Sequence, residues 1–229
     1  MKVGIIGAMD IEVEALKNMM DKAEIDRVSG MEFYSGNIKG ADTVVAVAGV
    51  GKVNAAVCAQ TMILRHSPDC IINVGVAGGL SDKLGIGDIA VADDVCERDM
   101  DTSPIGDPKG YISGLNTVYI KTDPRITDMI CTATKELGIN YERGTIASGD
   151  QFICTKEQRE EIISEFNAIA AEMEGAAIGH AAAMNDVPFT VLRALSDSAN
   201  EESVEDYPTF AKRAVEISIA IITKFLEAI

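Results

Sequence analysis

Histidine is scarce in this chain. Of 229 residues only His66 and His180 carry an imidazole, far apart in sequence and with no Cys-x-x-Cys nearby. A zinc site has little to draw on, and a Ser-His-Asp triad hardly more; both histidines read as ordinary helix residues. Cysteines are few, odd in number and scattered, at 58, 70, 96, 131 and 154. That usage suits free thiols in a reducing compartment better than a disulfide framework. Positive charge is in short supply: 20 Lys and Arg face 36 Asp and Glu, for a net charge of −16. The sign is wrong for a nucleic-acid backbone and for an anionic membrane surface. No run of 18 apolar residues is present, so no spanning helix is expected. The short apolar start meets Asp10, Glu12 and Glu14 where a signal peptide would place small residues for cleavage. A cytoplasmic address is expected, with neither membrane nor nucleic acid as partner.

What is present is a chain that can bury a large core, with 47% apolar and 24% charged residues. Short β-branched runs alternate with helical patterns. Val3–Ile6, Thr43–Val47, Ile71–Val74, Ile89–Ala92, Thr145–Ser148, Ala168–Ala171 and Thr190–Leu195 read as strands. Ile11–Met20, Val53–Arg65, Lys156–Phe166, Gly175–Met184 and Phe210–Glu227 carry helical period. A glycine-rich bend is expected from Gly78-Gly79 to Gly87, and a long loop from Asp99 to Gly114, where prolines and glycines break any period. Uninterrupted apolar strands between helices imply a sheet covered on both faces. The expected architecture is a single-domain α/β three-layer sandwich, residues 1–229, whose central mixed, mostly parallel sheet is flanked by helices.

Two glycine motifs fail on inspection. Gly4-Ile5-Ile6-Gly7 has too few glycines, wrongly spaced, for a dinucleotide fingerprint. The run at 46–53 lacks the leading glycine of a P-loop and has Val53 where a hydroxyl should meet magnesium. No redox cofactor and no metal are expected. What remains are carboxylates at strand ends, where open α/β sheets place their ligands. Glu12 follows the first strand, although an acid there also suits a helix N-terminus. Glu172 and Glu174 close another strand on one pleat face, or form a solvated strand end with a helix-start acid. Arg193, Ser196 and Asp197 end a third strand, as a polar terminus with a helix cap or as a buried general acid. Phe152 follows a fourth, as a core ring or as a face on which a flat ligand stacks.

Taken in order, Gly-Ile-Ile-Gly-Ala-Met-x-x-Glu at 4–12, Gly-Val-Gly-Lys-Val-Asn-Ala-Ala at 49–56, Gly-x-Ala-Gly-Gly at 75–79, Ser-Gly-Asp-x-Phe-Ile at 148–153, Glu-Met-Glu at 172–174 and Arg-Ala-x-Ser-Asp at 193–197 resemble one family. It is that of the 5′-methylthioadenosine/S-adenosylhomocysteine nucleosidases, within the purine nucleoside phosphorylase-like superfamily. The resemblance covers nearly the whole chain. It implies hydrolysis of the N-ribosidic bond of methylthioadenosine and S-adenosylhomocysteine, and of 5′-deoxyadenosine by the same chemistry. Asp197 matches the general acid at purine N7, and Glu12 the group that deprotonates the attacking water, with Arg193 near that water. Glu174 matches the acceptor of the ribose hydroxyls, Met173 packs beneath the ribose, and Glu172 stands at the same strand end. Phe152 matches the ring that stacks on adenine and Ile153 the main chain that reads its edge, while Ser196 steadies Asp197. Tyr207 falls where the family lines the pocket for the 5′ substituent, and its hydroxyl is expected to favour a more polar group there. Ala8 and Met9 of the first motif and Val76, Ala77 and Gly78 of the third complete the implied substrate contacts. The resemblance further implies a homodimer.

Three positions depart from the family pattern. Val76 replaces a frequent serine beside the water site, Arg98 a frequent histidine, and Ile105 an aromatic offered to the neighbouring subunit. A phosphorolytic relative tends to have Arg and Ser where Asn73 and Val76 stand, and Glu12 would repel its phosphate. Futalosine, as an alternative nucleoside, and a catalytically silent binding protein on the same fold are the other competing readings.

Overall fold

The strands form because both of their faces are covered. In β1 (Lys2–Gly7), Ile6 points into one core while Val3 and Ile5 point into another. The same alternation splits Val44 and Ala46 from Val45 in β4 (Ala41–Val47). Helices α2 (Lys52–His66) and α5 (Gly175–Met184) cover the first core, through residues such as Met62 and Ile178. Helices α1 (Asp10–Met19), α3 (Pro124–Glu136) and α6 (Ser203–Leu226) cover the second, through Leu16, Ile130 and Phe225. This computed structural model describes residues 1–199 and 203–229, with side chains in α6 described from Tyr207 onward.

The remaining strands are β2 (Asp21–Val28), β3 (Met31–Ile38), β5 (Cys70–Gly79), β6 (Ile89–Glu97), β7 (Ile120–Lys121), β8 (Tyr141–Ser148), β9 (Ala168–Glu172) and β10 (Phe189–Asp197). All belong to one ten-stranded sheet. β1 pairs in parallel with β4 and β5, β5 with β10, β6 with β8, and β8 with β9. The antiparallel pairs are β10–β6, β2–β3, β3–β4, β5–β9 and β6–β7. The sheet is mixed, as expected: strand pairs of the two senses are equal in number, and it is mostly parallel only in that the parallel ladders are together the longer. It also does something that local pattern could not announce. β5, β10, β6, β8 and β9 close on themselves as a ring, and β1, β4, β3 and β2 extend from β5 as an open wing. Helix α4 (Lys156–Phe166) closes a third apolar cluster through Ile162 and Phe166, which pack with Cys96, Ala147 and Ile153.

Several boundaries differ from expectation. β5 runs past Val74 to Gly79, so Gly78 and Gly79 are strand residues and the bend begins after them. A Cβ on Gly78 would lie 2.9 Å from Asp197 Oδ1, and one on Gly79 would lie 2.8 Å from Leu195 Cδ1; bare backbone is what lets β10 approach. α6 begins at Ser203, ahead of Phe210. The loop after Asp99 is as expected, apart from a short 3-10 turn at Ser103–Ile105 and a single antiparallel bridge between Ile112 and Thr117. Among the described residues no helix is long and apolar enough to cross a membrane.

Candidate active site

The ends of five strands converge, with one helix, on a cavity of about 400 Å³, a volume suited to a nucleoside-sized ligand. Ala8, Met9 and Glu12 reach it from the end of β1; Val76, Ala77 and Gly78 from β5; Phe152 and Ile153 from beyond β8. Glu172, Met173 and Glu174 come from the end of β9, Ser196 and Asp197 from β10, and Tyr207 from α6. Of the catalytic and substrate-contact residues expected from the resemblance, Arg193 alone does not line it. Val50 of the 49–56 motif, Gln151 at the variable position of 148–153, and Ala171, which adjoins 172–174, line it too.

Glu12 is buried at the third position of α1, and three main-chain amides hold it. Ala8 N–H and Met9 N–H donate to Oε2 at 2.7 and 2.9 Å, and Val76 N–H donates to Oε1 at 3.2 Å. The first two amides lead into the helix, so the helix-start reading of this acid is correct as far as it goes. The third joins α1 to β5, which a capping role does not require. Burial raises the Glu12 pKa, opposed by the nearby Arg193 charge and by the three amides. Position 76 thus serves Glu12 through its main chain, which valine supplies as well as serine.

Arg193 is fully buried and donates to Glu172 and Asn73, while its charge still acts on Glu12. Glu172 is saturated: it accepts from Arg193, from Ser148 Oγ, and from the amides of Glu174 and Gly175 at 3.0 and 2.7 Å. Glu174 has much less support. Its Oε1 accepts from Gly51 N–H at 2.8 Å, and burial together with the Glu172 charge raises its pKa to about 7. The two acids therefore do not form an equivalent pair on one pleat. Glu172 closes the strand and accepts from the first amide of α5, that of Gly175, whereas Glu174 stands at the N-cap position with no side-chain cap of its own.

Asp197 accepts from Ser196 Oγ at 3.0 Å on Oδ2 and from Ala199 N–H at 2.9 Å on Oδ1. Gly75 and Gly78 of β5 touch the two opposed acids. A Cβ on Gly75 would lie 2.7 Å from Glu12 Oε1, as one on Gly78 would crowd Asp197. Three residues of strand separate these contacts, a span of about 10 Å along β5. Tyr207 closes the cavity, its ring edge-on to Phe152 at 5.8 Å and its hydroxyl donating to Met9 Sδ at 3.3 Å. Burial and the carboxylates of Glu12, Asp197 and Glu174 raise its pKa. Among the described residues no hydrogen bond engages the main-chain N–H or C=O of Ile153, and no cluster of three or more His, Cys, Asp or Glu could hold a metal ion.

Among the described residues, four carboxylates and no lysine or arginine line the cavity. Such a wall favours a developing positive charge and disfavours an anion. The fold and this acid-lined slot define an α/β enzyme of nucleoside chemistry, and similarity to known proteins makes the class specific. A sequence model described as "Phosphorylase superfamily" matches residues 2–227. A 5′-methylthioadenosine/S-adenosylhomocysteine nucleosidase of Shewanella sediminis is 37% identical over 229 residues, covering 99% of both chains. The crystal structure of the Neisseria meningitidis enzyme of that name, in complex with methylthio-immucillin-A, superposes with a TM-score of 0.96 at 32% identity, covering 100% of this chain and 99% of that one. Futalosine hydrolase of Helicobacter pylori superposes with a TM-score of 0.95 at 32% identity, covering 100% and 98%. The chain belongs to the phosphorylase superfamily and, within it, to the 5′-methylthioadenosine/S-adenosylhomocysteine nucleosidase family.

Proposed function

We propose that the protein hydrolyses the N-ribosidic bond of 5′-methylthioadenosine and S-adenosylhomocysteine, releasing adenine and the 5′-thio-substituted ribose. The observation that carries this reading is a cavity lined by Glu12, Glu174 and Asp197 with no cation in its wall among the described residues. Asp197 donates a proton or hydrogen bond to purine N7, so the electron pair of the breaking C1′–N9 bond leaves on a neutral base. Positive charge builds on the ribose, as in sugar hydrolysis, and the surrounding carboxylates stabilise it. Water adds to C1′ and gives its proton to Glu12, whose raised proton affinity suits a base. Glu174 accepts from the ribose hydroxyls, Phe152 stacks on adenine, and the unengaged main chain of Ile153 reads its edge. Arg193 acts on this chemistry through its charge on Glu12 and its grip on Glu172.

A second copy of the chain is the proposed partner, in a cytoplasmic homodimer. Val53, Val57 and Leu64 form an exposed apolar stripe along α2, beside an exposed Met184 of α5. Val50, just ahead of α2, is exposed yet lines the cavity, so the stripe is continuous with the site.

A futalosine-type nucleoside is the second reading, favoured by the likeness to the Helicobacter pylori hydrolase. Specificity constants for methylthioadenosine, S-adenosylhomocysteine and futalosine separate the two. A thioadenosine is expected to exceed futalosine by at least about tenfold, and the reverse order would overturn the substrate while leaving the hydrolysis.

A further inference from the structure

Loop 149–153 carries Phe152 and Ile153 into the cavity without belonging to any helix or strand. Two consecutive side chains beyond β6 hold it. Asp99 Oδ2 accepts from Asp150 N–H at 2.9 Å, and Lys52 Nζ binds the other oxygen of Asp99 at 2.6 Å. Arg98 Nη2 donates to Gln151 C=O at 2.7 Å, and Arg98 N–H donates to Ser148 C=O at 2.9 Å. The Arg98 guanidinium lies directly on Gly149: a Cβ there would come within 2.8 Å of Cζ, 2.9 Å of Nε and 3.0 Å of Nη2. Nε is buried without a partner among the described residues, so the group sits where its plane covers the loop rather than where its donors are all satisfied.

We propose that Arg98 is a positioning residue that fixes the main chain of 149–153, and so sets the preference of the site for adenine over hypoxanthine. The inference rests on the reading of Phe152 and Ile153 as base contacts. Adenine offers an amino donor and a ring-nitrogen acceptor where hypoxanthine offers a carbonyl acceptor and an N–H donor. A main-chain amide and carbonyl distinguish these reversed edges only if they cannot turn to suit either. Asp99 holds the loop on one side through Lys52 and α2. Arg98 holds the other side, immediately before Phe152, and a flat guanidinium on a bare glycine leaves the peptide planes no room to rotate.

The test is the ratio of kcat/KM for methylthioadenosine to that for methylthioinosine, which loss of overall stability does not move. Arg98→Ala is expected to lower the ratio about tenfold, the scale of one lost hydrogen bond, with Arg98→Lys intermediate because it keeps a donor but not the plane. Gly149→Ala, which pushes the guanidinium aside with Arg98 still present, should lower it similarly and keeps the test available if Arg98→Ala does not fold. An unchanged ratio in the folded variants would overturn the proposal. Phe152→Ala runs in parallel with adenine affinity as readout. Weaker adenine binding there with an unchanged ratio in the Arg98 and Gly149 variants sinks the role of Arg98 alone. Unchanged adenine binding in Phe152→Ala would instead remove the base-contact reading beneath it.

Discussion

Glu172 and Glu174 stand two residues apart with their carboxylates in opposite circumstances: Glu172 takes the Arg193 guanidinium, a serine hydroxyl and two amides, and Glu174 is left with the Gly51 amide. Gly51 can donate there because it opens α2 at φ 97°, a conformation that favours glycine. The next amide, of Lys52, holds Asp150 at 2.7 Å, so one helix start fixes both Glu174 and the loop that carries Phe152.

This asymmetry has a pH signature. The Glu174 carboxyl, at about 7 when folded against an ordinary 4.5, retains its proton better in the native state than in the unfolded one. Its contribution to stability is fully present below pH 4.5 and is lost as pH rises through 7. Relative to Glu174→Gln, the ligand-free wild type should lose up to about 3 kcal/mol between pH 4.5 and pH 8, read as a falling urea midpoint. Parallel pH profiles for the two proteins would contradict the assignment. If Glu174 accepts from the ribose hydroxyls as proposed, it does so in its ionised form, and KM for the nucleoside should rise below pH 7.

Gly75 leaves room for the Glu12 carboxylate. Gly75→Ala places a methyl 2.7 Å from Oε1, and the acid must shift. We expect kcat to fall about 100-fold, the scale of a misplaced catalytic group, with a stability loss of only about 1–3 kcal/mol. Full activity in the purified variant would separate Glu12 from the chemistry.

The Arg193–Glu172 pair is buried and charged on both sides. Removing one partner strands the other, so Glu172→Met should cost about 3–5 kcal/mol, and adding Arg193→Met should restore much of that. Urea denaturation of the single and double variants measures both. A single variant as stable as the wild type would show that Arg193 does not need its partner.

Val53 is 74% exposed on the apolar stripe of α2. Val53→Asp is expected to convert a dimer into a monomer by sedimentation velocity, since an unpaired charge in an apolar interface is costly. A monomeric wild type at micromolar concentration would remove the interface.

The sequence carried the elements whose signal is local. Lys156–Phe166 and Gly175–Met184 are helices with the limits that their period predicts. Missing were β2 and β3, an edge hairpin whose outer strand is largely exposed and charged and so has no apolar alternation to read. α3 was also missed, although Asp123 capping Ile126 N–H and Pro124 at the first turn form a recognisable start. Glu12, Glu174 and Asp197 could be named from motif order, and all three reach the cavity. The partner of Arg193 could not, because only the closure of β5, β10, β6, β8 and β9 into a ring brings Glu172 across to it. Nor could the use of Arg98, which depends on an absent side chain at Gly149.

The central claim is that water, and not phosphate, attacks the ribose under the control of Glu12. Purified protein given methylthioadenosine in phosphate-free buffer should release adenine and free methylthioribose, at a rate that added phosphate leaves unchanged. Glu12→Gln and Asp197→Asn should each lower that rate by about 10²–10⁴. Adenine released only when phosphate is present, together with a sugar 1-phosphate, would contradict the account and remove the role of Glu12.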